Sequence, residues 1–242
     1  MMELFSSIQG EGPYIGLRQI FLRFAGCNLH CAYCDTGHTA GPVFRVETVP
    51  GSGHFDFYDN PITPEDTAKI ITGFSLKYAH SLSLTGGEPL LQAGFIKSLR
   101  VLLEDRELPF YLETNGVLTD KLAEIIDCID IISMDMKLPS TTKDKAHWDS
   151  HREFLKLGAR KKIYVKVVVS RETTNEEIIQ ASQIIRDIDA HIPLVLQPVD
   201  PKSVLLQHSV TLQQLFKFQE TGLNYLADVR VIPQSHKILG QL

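Results

Sequence analysis

Three of the four cysteines fall within eight residues, in the run Cys27-Asn28-Leu29-His30-Cys31-Ala32-Tyr33-Cys34. Thiols this close in sequence are poorly placed to bridge one another, and as soft ligands they suit zinc or an iron–sulfur cluster. Structural zinc takes four protein ligands, usually as paired CxxC knuckles. Here His30 or His38 would have to complete such a set. Cys128 ends a predicted helix in an apolar run and reads as a small buried hydrophobe. On a cubane of four irons, three cysteines leave one iron open to a small molecule.

Other residues able to do chemistry are spread along the chain. Gly86-Gly87-Glu88-Pro89 places two residues without a Cβ where backbone can approach a ligand. Ser7-Ile8-Gln9-Gly10-Glu11-Gly12 offers an amide, a carboxylate and open backbone, enough to read the hydrogen-bonding edge of a heterocycle. Arg23 has the fork that suits a carboxylate, and pointing inward it would need a counter-charge. Glu113 closes the run Phe110-Tyr111-Leu112 and presents two acceptor oxygens.

These residues follow predicted strands. Arg18 to Phe24 alternates as a first strand, directly before the cysteines. Strands are expected at 81–85, 110–113, 130–135, 163–169 and 194–197. Helices are expected at 95–104, 119–128, up to Asp187 with Thr174 or Asn175 as cap, and 211–221. Short strands alternating with helices imply right-handed βαβ units around a parallel sheet, an α/β architecture whose sites gather at the C-terminal strand ends. Residues 37–61 break the pattern with Gly, Pro and unperiodic aromatics and read as an inserted loop or small hairpin.

The chain has 242 residues, 43% hydrophobic and 22% charged, which suits a single domain spanning 1–242 and argues against disorder. A net charge of −5, with the signs interspersed, offers no phosphate-tracking stripe for nucleic acid. No apolar run spans a membrane, and Met1–Gly12 lacks a signal pattern. The expectation is a cytoplasmic protein with its thiols reduced.

The CxxxCxxC triad after the first strand, with Tyr33 before its last cysteine and GGEP after the next strand, resembles the radical S-adenosylmethionine (SAM) superfamily. Within it, S-I-Q-G-E-G, L-R-F-A-G-C-N-L-H-C-A-Y-C-D-T, T-G-G-E-P, E-T-N-G, S-M-D-M-K, Q-P-V-D and P-Q-S-H-K resemble, in order, the 7-carboxy-7-deazaguanine synthase family. The resemblance implies a partial, modified (β/α) barrel. Cys27, Cys31 and Cys34 would hold a [4Fe–4S] cluster, and Thr36 would contact a Mg²⁺. Tyr33, Gly86, Gly87, Glu88, Ser133, Asp135, Lys137, Gln197, Pro198, Val199 and Asp200 would contact SAM. Ile8, Gln9, Gly10, Glu11, Arg23, Thr85, Glu113, His236 and Leu242 would contact a carboxylated pterin, with residues 228–242 closing on the site. The resemblance also implies an electron donor such as flavodoxin or ferredoxin, and a homodimer. Two other readings are a glycyl-radical-enzyme activase, which would need a peptide groove, and a zinc-ribbon module with no chemistry.

Overall fold

The computed structural model describes residues 1–34, 39–199, 209–238 and 240. Its strands are β1 (Glu3–Ile8), β2 (Arg18–Phe24), β3 (Val43–Glu47), β4 (Phe55–Asp59), β5 (Leu82–Gly86), β6 (Phe110–Thr114), β7 (Ile131–Asp135), β8 (Lys162–Val169), β9 (Leu194–Pro198) and β10 (Val229–Val231). The α-helices are α1 (Pro64–Thr72), α2 (Ala93–Leu102), α3 (Thr119–Ile125), α4 (Pro139–Thr142), α5 (Trp148–Gly158), α6 (Asn175–Arg186), α7 (Leu212–Leu223) and α8 (Ser235–Ile238). The ten strands among the described residues form one sheet in the order β10-β9-β8-β7-β6-β5-β2-β1-β3-β4. From β2 to β10 every neighbouring pair is parallel. The sheet ends at β4 and β10 without closing, which is a partial barrel, as expected.

Alternation along the parallel strands separates core from site. Leu82 and Leu84, Phe110 and Leu112, Ile132 and Met134, Val165 and Val167, and Leu194 and Leu196 join the main apolar core. Residues of opposite parity face inward: near the strand starts, Tyr111, Ile131, Tyr164 and Val195 pack together as a second, smaller cluster. Further along, the same parity carries Thr85, Glu113, Asp135, Lys166 and Gln197.

Helix starts are fixed by side chains the sequence supplies. Thr174 caps α6 in a reciprocal capping box with Glu177, and Thr211 does the same for α7 with Gln214. α3 starts at Thr119, as expected, and the last turn of that segment, Ile126–Cys128, tightens into a 3-10 turn. The segment 37–61 holds a true hairpin: β3 and β4 pair antiparallel, and β3 adds to β1 in parallel. Phe44 and Val46 seal it onto the core. No local pattern marks β1, whose polar residues are drawn into the sheet by antiparallel pairing with β2.

Candidate active site

A cavity of about 520 Å³ opens at the C-terminal ends of the parallel strands. Cys27, Cys31 and Cys34 line it from the loop after β2. Burial pushes the Cys31 thiol up to about 11, opposed by Lys137 and reinforced by Asp135 and the two neighbouring cysteines. An empty Cys31 is thus a thiol at neutral pH, and a metal would have to displace its proton. Cys27 Sγ accepts from the Leu29 N–H at 3.4 Å and from Asn115 Nδ2 at 3.8 Å. Asn115 Nδ2 also donates to Asn28 Oδ1 at 2.8 Å. Cys128 lies outside the cavity, against the core.

Lys137 holds the cysteine loop from the opposite wall. Its Nζ donates to the Tyr33 hydroxyl at 2.9 Å and to Asp135 Oδ2 at 2.8 Å, and it sits 5.2 Å from the Tyr33 ring centre. Burial would strip its charge, but Asp135 foremost keeps the ammonium well above its usual range.

Gly86 and Gly87 line the cavity, yet their missing Cβ atoms make room for protein rather than ligand. A Cβ on Gly86 would lie 2.2 Å from the Phe24 carbonyl, and one on Gly87 1.9 Å from the Gly26 carbonyl. The glycines therefore let the strand end dock against the root of the cysteine loop, with the Glu88 N–H donating to Gly26 O at 2.8 Å. Glu88, expected beside SAM, is fully buried and does not line the cavity. Its carboxylate accepts from the Leu90 and Asn115 N–H groups and from the Thr114 hydroxyl, tying the end of β5 to the end of β6. Burial, only partly offset by these donors, pushes its pKa up to about 7.

At the other end, Ile8, Gln9, Gly10, Glu11, Arg23, Thr85, Glu113 and His236 all line the cavity. Glu113 Oε1 accepts from Gln9 Nε2 at 3.0 Å and Ser83 Oγ at 3.2 Å, while Oε2 accepts from Thr85 Oγ1 at 2.6 Å. Three of its roughly four acceptor positions are thus taken within the protein. A ligand forming two parallel bonds must displace one donor or share with it. Arg23 finds its counter-charge in the chain itself, with Nε 2.7 Å from Glu3 Oε1. The need for a substrate carboxylate to neutralise it is thereby removed.

Glu11 is clamped. Lys166 Nζ lies 2.5 Å from Oε2, Gln234 Nε2 donates to Oε1 at 2.6 Å, and Lys166 also reaches Asp135 at 3.5 Å. Burial disfavours the Glu11 carboxylate, but Lys166 and Gln234 overcome it and hold the pKa down at about 2. The C-terminal segment closes over this loop: Ser235 N donates to Gly10 O at 2.9 Å, and a Cβ on Gly10 would lie 2.3 Å from the His236 ring.

The donor set fits the groups the sequence implies. Three soft thiols share one cavity, with the fourth cysteine elsewhere. Asp135 Oδ1 and Gln197 Oε1, both in cavity-lining residues, are buried acceptors with no donor among the described residues, suited to the hydroxyl and amino groups of a nucleoside. Ser133, Pro198 and Val199 line the same wall. Thr36 with its expected Mg²⁺, Asp200 and Leu242 lie outside the described residues, as does His38 of the zinc reading.

Glu3, Lys166, Asn115 and Gln234 also border the cavity, and sequence reasoning missed their part in it. Lys166 is the one charge in Ile163–Val169, a signal in itself, because a lysine in an apolar inner strand must be paired.

The model of the Radical SAM superfamily matches residues 22–192. A 7-carboxy-7-deazaguanine synthase of Geobacter sulfurreducens is 44% identical, covering 99% of this chain and 96% of its own length. One from Methanocaldococcus jannaschii is 37% identical over 99% of each. Among solved structures, a radical SAM methyltransferase from Sphaerobacter thermophilus superposes with a TM-score of 0.58 at 10% identity, covering 96% of this chain and 78% of that one, a likeness of fold alone.

Proposed function

Because this chain belongs to the radical SAM superfamily and, within it, to the 7-carboxy-7-deazaguanine synthase family, we propose that it converts 6-carboxy-5,6,7,8-tetrahydropterin to 7-carboxy-7-deazaguanine, with loss of ammonia. Membership makes it a radical SAM enzyme and sets aside the zinc-ribbon reading. The observation that carries the substrate is that the three thiols share one cavity with Gln9, Arg23 and Glu113.

Cys27, Cys31 and Cys34 would hold the [4Fe–4S] cluster, which with SAM supplies a radical able to take hydrogen from carbon. The chain's own residues do the positioning. Asp135 and Gln197 would accept from the nucleoside of SAM through their unpaired oxygens. Arg23 would face the substrate carboxylate, and Glu113 would accept from the amidine-like far edge of the pterin. Holding both ends fixes C6, the position of hydrogen abstraction, in a near-attack geometry before ring contraction. Gln234 and Ser235, bonded to Glu11 and Gly10, help to close that end against water.

Anaerobic turnover of the reconstituted protein with SAM, reductant and carboxytetrahydropterin, followed by mass analysis, tests the reading. The expected product is 7-carboxy-7-deazaguanine. SAM cleavage without consumption of the pterin would overturn the substrate assignment and leave the radical chemistry standing.

A further inference from the structure

Arg23 does not act alone. Glu3 on β1 is the direct register partner of both Arg23 on β2 and Arg45 on β3. Its carboxylate, 6% exposed, is shared between them: Oε1 lies 2.7 Å from Arg23 Nε, while Oε2 lies 2.5 Å from Arg45 Nη2 and accepts from Arg45 Nε at 2.7 Å. Each guanidinium also rests on an aromatic ring, Arg23 on Phe5 at 5.6 Å and Arg45 on Phe55 at 4.9 Å. The three strands thus carry a row of positive, negative and positive side chains with one positive charge in surplus. Arg23 and Glu3 border the cavity, whereas Arg45 does not.

We propose that Glu3 and Arg45 are positioning residues that set the grip of Arg23 on the anionic end of the substrate, so that the β3–β4 hairpin tunes selectivity for a carboxylated pterin. The inference rests on the proposed substrate. Two effects follow from the row. Arg45 occupies one carboxylate oxygen of Glu3, which keeps Glu3 from chelating Arg23 with both and leaves guanidinium donors free. Arg45 also supplies the charge that keeps the row cationic. Without it, Glu3 and Arg23 form a neutral pair, and the attraction for a carboxylate falls.

The test compares anaerobically reconstituted parent, Arg45→Met and Arg45→Lys on 6-carboxytetrahydropterin, with tetrahydropterin lacking the 6-carboxylate as competing ligand. In Arg45→Met, KM for the carboxylated substrate should rise roughly fivefold, the scale of one partly exposed charge pair. Its kcat should change less than twofold, and affinity for the uncarboxylated ligand should hold. Arg45→Lys keeps the charge and should recover most of the loss. Added salt should raise KM more steeply for the parent than for Arg45→Met, because a screened charge can be lost only once. A merely structural Arg45 would weaken both ligands together, with no difference in salt response, and that result would overturn the inference. If the parent itself fails to prefer the carboxylated ligand, the substrate reading falls instead, so the two failures are distinguishable.

Discussion

Replacing Glu11 with Gln should destabilise the protein in a pH-dependent way. The folded protein holds Glu11 at about 2 against an ordinary 4.5, mainly because Lys166 attraction and its hydrogen bonds overcome burial. At about 1.4 kcal/mol per unit, the charged form contributes about 3–4 kcal/mol at neutral pH. The sign follows from the direction of the shift. A depressed pKa means the unfolded chain binds the proton more readily, so the contribution is present above about pH 4.5 and lost as pH falls towards 2. Lys166→Met should cost about 3–5 kcal/mol, since it leaves Glu11 and Asp135 buried without their shared cation. For a chain of this length, each kcal/mol lowers Tm by roughly 2–4 °C. Urea unfolding of the cluster-free parent, both single variants and the double variant, at pH 7 and pH 3.5, measures the coupling. A coupling below about 0.5 kcal/mol at pH 7, or a parent-to-variant gap that does not shrink on acidification, would refute this account.

Further outcomes follow from the same geometry. Alanine at Cys27, Cys31 or Cys34 should abolish iron and sulfide incorporation, read by metal analysis and visible absorbance, whereas Cys128→Ala should retain both and lose only packing. Glu88 has the opposite linkage to Glu11: its raised pKa makes its contribution greatest below about 4.5 and loses it as pH climbs through about 7. The stability gap between parent and Glu88→Gln should therefore fall by up to about 3 kcal/mol across that range, and a pH-independent gap would mean an ordinary carboxylate. Glu113→Ala orphans the Gln9, Ser83 and Thr85 donors as well as the pterin edge. It should lower turnover by roughly five- to 150-fold, from a lost interaction of about 1–3 kcal/mol, while SAM binding, followed by spectroscopy of the reduced cluster, persists.

The parallel strands were legible because both of their faces are covered, which leaves short apolar runs ending in polar residues. Ser81–Thr85, Phe110–Glu113 and Asp130–Asp135 each fell within a residue of the observed strand. The cysteine loop and the strand-end motifs were legible for the same reason, since each is anchored to such a run. What stayed hidden depends on partners distant in sequence. Nothing local marks Glu3 as the bridge between two arginines, because its meaning comes from strand register. The motif of Glu88 lies beside the site, and only the fold reveals its carboxylate turned towards Thr114 and Asn115. The Gly-Gly pair marks a close approach in the sequence, and only the fold reveals that the Phe24 and Gly26 carbonyls take part in it.

The order of strands in the sheet has a consequence for how the protein comes into being. From β5, which pairs with β2, onward, spatial order follows chain order, so each new strand can join the edge left by its predecessor. The chain can therefore lay down its sheet progressively during synthesis, pairing each parallel strand with one already made. Closure of the cavity is different, for the bond from Gln234 to Glu11 joins residues 223 positions apart. A nascent chain that has completed β9 already owns its cysteines and most of its strand-end residues, while the Glu11 side still lies open. Architecture thus accumulates piece by piece, but seclusion comes only with the final segment.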